Sequence, residues 1–145
     1  MSVDIRGLRI AIGDAQIVHG VDLHIEDGER VGLIGSSGSG KSMIAKAMLG
    51  LLPDRAAISG AIAMGKTVIA GDAAASGRPG VAGYAVSDRQ LADLRGRYVG
   101  MVFQNPAAAL NPVWTVARQV ALPLRLHYNL SKEDRRERVM AMLRK

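Results

Sequence analysis

The sequence predicts an α/β fold, and three observations lead to that class. Short apolar or alternating runs, typical of strands, fill much of the first half of the chain. One such run is followed by a glycine-rich loop and then by an apolar helical segment, which is the strand–loop–helix order of α/β domains. A length of 145 residues with 48% hydrophobic content is enough for one packed core.

The first strands are predicted from their hydrophobic patterns. Residues 3–12 read as a strand that turns at Gly13-Asp14, and residues 21–25 alternate apolar with polar side chains, as a half-buried strand does. Asp27-Gly28 then predicts a tight hairpin turn. The run from Val31 to Ile34 is apolar without alternation, which predicts a strand buried on both faces.

Later segments continue the mixture of helices and strands. Apolar residues on nearly every side predict a packed helix that starts at Lys41 and stops at Pro53. Two short strands are expected to meet near Gly65, and the small residues of 71–83 predict a surface loop. The remaining expected elements are a helix over 87–96 capped by Ser87, a strand over 97–104, a helix over 115–127 and a helix begun by Ser131 with Asp134 three residues later.

Composition excludes several classes of function. The chain has no cysteine, so disulfides and thiolate metal sites are absent, in keeping with a reducing compartment. Its apolar runs fall short of the roughly 20 residues that span a membrane, and no signal-peptide block is present, which predicts a soluble, cytoplasmic chain. A net charge of +6 suits an anionic partner, but aromatic content of 3% argues against base stacking on nucleic acid.

The stretch GSSGSGKS, at residues 35–42, carries the strongest chemical signal. Three glycines without Cβ atoms allow the backbone to curl so that several N–H groups can meet one group of phosphate oxygens. The following helix adds the positive end of its dipole, Lys41 neutralises the β and γ phosphates, and Ser42 offers a hydroxyl to Mg²⁺. Because a strand is predicted before it and a helix after it, the pattern predicts a polyphosphate-binding P-loop.

The stretch MVFQNPAAALNPVWTV follows some sixty residues later, an apolar run that ends at Gln104 and breaks at Pro106. Here the sequence resembles the ATP-binding subunits of ABC transporters, and FQNPAAALNP is most similar to the branch that serves oligopeptide and dipeptide importers. The LRIAI, VDLHIEDGERVGLIG and LLPDRAAISGAI stretches are similar too. The resemblance therefore covers nearly the whole chain.

The resemblance implies roles for individual residues. Lys41 and Gln104 are expected to be catalytic, and Ser42 and Gln104 to hold Mg²⁺, since a neutral amide can bind a cation through oxygen and a water through nitrogen. Ile12 matches the position where the family usually stacks an aromatic residue on adenine. The residues implied to bind the phosphates are Gly35, Ser36, Ser37, Gly38, Ser39, Gly40, Lys41 and Ser42.

The resemblance also implies the architecture and the partners of the protein. It implies an ABC-type P-loop core with an N-terminal antiparallel β layer over 1–104, and the beginning of a helical subdomain over 105–145. No LSGGQ-like signature or apolar strand ending in Asp-Glu is visible, so we expect an N-terminal fragment that alone hydrolyses no ATP. The intact subunit would pair with a second ATPase subunit and with membrane permease subunits, without nucleic acid, as a peripheral protein on the cytoplasmic face of the cell membrane.

Other readings of the sequence stay open at this point. A soluble ABC protein would act on DNA or ribosomes, whereas a non-catalytic fragment would bind nucleic acid or protein through its basic residues. A P-loop kinase lacks an obvious arginine lid here. The D-x-x-G of GTPases is matched at Asp93–Gly96 but lies in a helix-like stretch without a guanine-reading N-K-x-D, and TVIAGD at 67–72 fits a peripheral hairpin better than a metal-binding strand.

Overall fold

The computed structural model describes residues 1–71, 83–105 and 109–144. The chain divides into two compact units, Met1–Ala92 and Asp93–Lys145. The domain bounds drawn from the motifs, 1–104 and 105–145, remain a prediction. The predicted loop at 71–83 lies almost wholly outside the described residues.

The first unit is built on a four-stranded antiparallel sheet. Its strands follow the order β2-β1-β3-β4, so β1 lies between its own hairpin partner and a strand from beyond the glycine loop. The hairpin turns at Gly13-Asp14 and near Gly65 are confirmed. The strands are β1 (Val3–Ile12), β2 (Ala15–Ile25), β3 (Ala56–Met64) and β4 (Thr67–Ala70).

The core of this unit lies on one face of the sheet. Along β2 the half-buried Val21, Leu23 and Ile25 alternate with exposed polar residues, as the period of two predicts. Burial of apolar side chains supplies most of the driving force for folding, and each fully buried Val, Leu or Ile side chain contributes about 1.5–3 kcal/mol. The largest fully buried side chains of the unit are Tyr84, Ile5, Leu8, Ile10, Ile62, Ile69 and Leu91.

Besides the sheet, the described residues between 1 and 94 form two helices. Helix α1 (Lys41–Met48) begins at the end of the glycine loop and buries Ile44 and Ala47. It stops earlier than the sequence predicts, because Gly50 adopts φ +63° and its amide donates to the carbonyl of Ala47 at 3.1 Å, a turn that ends the helix before Pro53. Helix α2 (Asp88–Leu94) confirms the predicted segment, and the Ser87 hydroxyl accepts from the Gln90 amide at 3.4 Å.

Two strand predictions are wrong. Residues 31–34 form no strand, and Ile34 is 95% exposed; residues 97–104 contain only an isolated bridge between Arg95 and Val99, and Val102 is 96% exposed. A strand buried on both faces forms only where neighbouring strands complete its hydrogen bonds and cover its side chains. Apart from that single bridge, no segment in the described ranges pairs with either run, and neither joins the sheet, so both apolar runs lack what a strand requires.

The described part of the second unit contains two helices, of which the first is amphipathic. Helix α3 (Val116–His127) is capped by Thr115, whose hydroxyl accepts from the Arg118 amide at 3.3 Å, and helix α4 (Lys132–Leu143) by Ser131, which accepts from the Asp134 amide at 3.0 Å. Both helix starts confirm the sequence prediction. No helix in the described residues is long and apolar enough to cross a membrane.

A histidine between two carboxylates makes the sheet sensitive to pH. In β2, Nε2 of His24 lies 3.0 Å from a Glu26 oxygen and Nδ1 lies 3.2 Å from an Asp4 oxygen. The hydrogen bond to Glu26, followed by the hydrogen bond to Asp4, raises the pKa of His24 above its ordinary value of 6.5. Because the folded state favours the protonated ring, the stability that it adds is complete below pH 6.5 and is lost as pH rises through the folded pKa.

We therefore expect His24→Gln to lower the urea midpoint more at pH 5.5 than at pH 8.5. Urea unfolding of both proteins at the two pH values measures this difference. A midpoint change of the same size at both values would contradict the pairing.

Candidate functional site

The candidate site is the loop between Ile34 and α1. Its backbone reaches conformations that L side chains rarely adopt, with φ +81° at Gly38 and φ +86° at Gly40. The amide of Ser39 donates to the carbonyl of Ser36 at 3.3 Å, which closes a turn inside the loop. The glycines thus produce the tight curl that the sequence predicts.

Gly40 brings the loop against strand β2. A Cβ atom at Gly40 would lie 3.0 Å from the carbonyl oxygen of Ile17 and 2.9 Å from a methyl group of Val18. The Gly40 carbonyl also accepts the first helical hydrogen bonds, from Met43 at 2.9 Å and from Ile44 at 3.0 Å. Gly40 therefore fixes the start of α1 to the sheet as well as the curl of the loop.

Several amide donors remain at this junction. Within the described chain, the amides of Gly38, Gly40, Lys41 and Ser42 donate to no carbonyl oxygen. The first turn of α1 holds no acidic residue, and no side chain caps the helix. A helix start with unsatisfied N–H groups carries partial positive charge, so this junction favours an anion.

Lys41 adds a full positive charge to the same loop. Its ammonium group donates to the carbonyl of Gly35 at 2.8 Å, to the carbonyl of Ser36 at 2.6 Å and to the hydroxyl of Ser39 at 3.1 Å. Three acceptors match the three donors of an ammonium group, so the charge is held across the loop. Both the backbone amides and the lysine side chain therefore contribute positive charge at this loop.

A cavity of about 160 Å³ lies at the junction. The exposed Ser42 lies at its edge, and Ile17 of β2 forms part of its wall. Sequence reasoning missed Ile17, since no local pattern separates it from other strand residues. The lining residues are Ile17, Gly38, Ser39, Gly40, Lys41, Ser42 and Met43.

The structure brings together only part of the predicted site. Ile12 ends β1, half-buried and paired with Ala15 and Ala56, and it does not line the described cavity. Gln104 is exposed and belongs to the second unit, whereas the loop belongs to the first. The adenine role of Ile12 and the metal and water roles of Gln104 stay predictions.

Larger cavities occur in the second unit but hold none of the predicted site residues. One of about 450 Å³ is lined mainly by apolar residues of α3 and α4, such as Leu124 and Met142, and one of about 520 Å³ lies beside Glu137 and Arg138. In the part of the chain that the structure describes, no three His, Asp or Glu side chains are grouped to hold a metal. Among the described residues, the glycine loop is the place where predicted site residues line a common cavity.

The fold and the loop agree with a comparison against known families. Residues 18–145 match the family described as ABC transporter. The matched range includes the glycine loop, α1 and both helices of the second unit. The chain belongs to the ABC transporter family. Its P-loop NTPase fold class, predicted from the sequence, is thereby confirmed.

Several individual proteins similar to this chain are named as ATP-binding proteins of peptide transport. A probable peptide ABC transporter ATP-binding protein of Sinorhizobium fredii is 38% identical over 125 residues, which cover 86% of this chain and 34% of that protein. A putative peptide import ATP-binding protein of Brucella ovis is 35% identical over 97% of this chain and 41% of its own. The oligopeptide transport ATP-binding protein OppD of Bacillus subtilis is 30% identical over 90% of this chain and 33% of its own. The chain spans a third to two fifths of the length of these relatives.

Proposed function

We propose that the loop from Gly35 to Ser42 binds the phosphates of ATP. The observation that carries this proposal is that the Lys41 ammonium and four amides that donate to no carbonyl oxygen, those of Gly38, Gly40, Lys41 and Ser42, belong to one short loop and helix start. Backbone N–H groups at a helix N-terminus, aided by a lysine, bind a polyphosphate through charge-assisted hydrogen bonds. Membership of the ABC transporter family supports the same assignment.

We propose that the Ser42 hydroxyl would hold Mg²⁺ together with phosphate oxygens of the nucleotide. Mg²⁺ prefers oxygen ligands and usually binds through few protein groups together with substrate phosphates, so one exposed hydroxyl beside the loop fits its chemistry. The amide oxygen of Gln104 would provide a further ligand and its nitrogen would orient the attacking water. When bound, the ion would neutralise part of the negative charge on the phosphates.

For the whole protein we propose ATP hydrolysis that powers import of peptides or similar small solutes. The names of the relatives, which refer to peptide import and oligopeptide transport, support this solute class over work on DNA or ribosomes. The partners proposed are membrane permease subunits and a second ATPase subunit, with the protein bound peripherally at the cytoplasmic face of the membrane. Lys41 and Gln104 would supply two of the several groups that phosphoryl transfer needs at once.

Equilibrium binding of a fluorescent ATP analogue to the purified chain, with and without Mg²⁺, tests the proposal. Saturable binding that unlabelled ATP displaces, and that inorganic phosphate displaces far less well, is the expected result. Binding that disappears at moderate salt and does not respond to ATP would instead indicate a basic surface without a nucleotide site.

Ile12→Tyr provides a test of the adenine contact. An aromatic ring can stack on the base, whereas isoleucine offers apolar contact alone, and stacking contributes about 1–3 kcal/mol per base. We therefore expect the variant to bind the ATP analogue about fivefold or more tightly, measured by the same titration. An affinity equal to that of the original chain would mean that residue 12 does not contact the base. Ile10→Val, which changes a buried neighbour in β1, controls for general effects on the strand.

A further inference from the structure

Tyr84 joins the sheet to the helix that carries the phosphate loop. Its side chain is fully buried, and its hydroxyl donates to the carbonyl of Ala47 at 2.8 Å. Ala47 lies in the last turn of α1, and Lys41 and Ser42 open the first turn. One hydrogen bond thus connects the sheet side of the unit to the end of α1 opposite the candidate site.

The backbone around Tyr84 is fixed on the sheet. Tyr84 forms an antiparallel bridge with Ala70, and the amide of Ala85 donates to the carbonyl of Ile69 at 2.9 Å. On its other side Gly83, at φ +93°, lies so near the sheet that a Cβ atom would be 2.2 Å from the carbonyl oxygen of Ile58. The tyrosine hydroxyl therefore projects from a point that the sheet holds rigidly.

Helix α1 depends on such contacts for its orientation. It has eight residues, about 12 Å in length, and helices this short are not stable without tertiary support. At its start Gly40 lies against β2, and in its last turn the Ala47 carbonyl accepts from Tyr84, which lies outside the helix. Burial of Ile44 and Ala47 also holds the helix, so loss of the Tyr84 hydrogen bond is expected to allow a small tilt about the start, which would shift the amides and side chains of the first turn.

We propose that Tyr84 is a positioning residue for the phosphate loop, holding α1 in the orientation that aims Lys41 and the amides of 40–42 at the phosphates. The inference rests on the proposed function of the loop, and Tyr84 itself touches no nucleotide. Nothing in the local sequence signals this role, because the tyrosine and Ala47 are 37 positions apart and meet only in the folded unit.

Tyr84→Phe tests the inference with little change to the core. The phenyl ring fills the same space, and the Ala47 carbonyl keeps its hydrogen bond from Gly50, so no buried acceptor is left without a partner. We expect affinity for the fluorescent ATP analogue to fall about threefold. Because the hydrogen bond is present without nucleotide as well, the roughly tenfold that corresponds to its full contribution is an upper limit. Tyr128→Phe, at a half-exposed tyrosine, is the matched control and should leave the affinity unchanged.

Hydrogen exchange without nucleotide separates a positioning role from a structural one. The amides of Met43 and Ile44, at the far end of α1 from Ala47, should exchange several-fold faster in Tyr84→Phe, at a temperature where both proteins are folded. Unchanged affinity, or faster exchange confined to residues 46–50, would overturn the inference. Absence of nucleotide binding by the original chain would refute the proposed function instead, and the exchange of Met43 and Ile44 would still decide whether Tyr84 controls the start of the helix.

Discussion

Lys41→Ala is expected to weaken binding of the fluorescent ATP analogue about tenfold to a hundredfold. The substitution removes the full positive charge that the loop holds beside its amide donors, and hydrogen bonds to a charged group contribute about 1.5–3 kcal/mol. Titration at fixed salt and Mg²⁺ measures the change. The effect should be larger for the triphosphate than for the monophosphate, because the lysine is assigned to the β and γ phosphates.

Lys46→Ala is the matched control for this experiment. Lys46 lies in the last turn of the same helix and carries the same charge, so its removal tests the effect of net charge alone. We expect a change of less than twofold. Equal losses in the two variants would mean that the analogue responds to the general positive field, and the assignment of Lys41 to the phosphates would fail.

Gly40→Ala is expected to destabilise the chain by at least about 2 kcal/mol and to reduce binding as well. An alanine at φ +86° adopts a left-handed conformation that costs about 1–2 kcal/mol. Its Cβ atom would also press on the Ile17 carbonyl oxygen and on Val18, and Val18 is buried and therefore unable to move aside. Urea unfolding measures the first effect and the ATP-analogue titration the second.

Gly38→Ala separates the cost of the left-handed backbone conformation from the cost of the steric contact with β2. Gly38 has nearly the same φ, +81°, but a Cβ atom there would meet nothing within 4 Å. This variant should show only the backbone effect, about 1–2 kcal/mol. If both alanine variants unfold at the same urea concentration, the close approach of Gly40 to β2 contributes nothing, and the description of the loop as fixed to the sheet would be wrong.

The antiparallel half of the fold was predictable because its signals are local. Alternation along β2 and the Gly13-Asp14 turn each depend on residues within a few positions of one another. The cap at Ser131, in the second unit, was predictable for the same reason. The strand predicted at 31–34 has an equally suggestive composition but no neighbour among the described residues. Composition specifies that a segment can form a strand; pairing with a distant segment decides whether it does.

The candidate site likewise contains residues that a local pattern predicts and residues that no local pattern predicts. The curled backbone at Gly38 and Gly40 follows from an eight-residue pattern, and the sequence predicted it. The hydrogen bonds of Lys41 to the Gly35 and Ser36 carbonyls were not predicted, and the phosphate contact of Lys41 stays a prediction. Ile17 of β2 lines the cavity, and Tyr84, in an isolated bridge beside β4, bonds to the last turn of α1; no spacing rule connects either residue to the loop. Sequence patterns therefore pointed to the residues that we propose to contact phosphate but not to these two, which are brought near the loop or its helix only by the fold.

Whether nucleotide binds at the glycine loop can be decided by an amide NMR titration of the chain with Mg²⁺ and a non-hydrolysable ATP analogue. We expect saturable chemical-shift changes concentrated on the amides of residues 35–42, with Gly38, Gly40 and Ser42 among the largest, and their loss in Lys41→Ala. Shifts centred on the arginines of α4, or shifts that grow without saturation while the loop amides stay in place, would contradict binding at this loop.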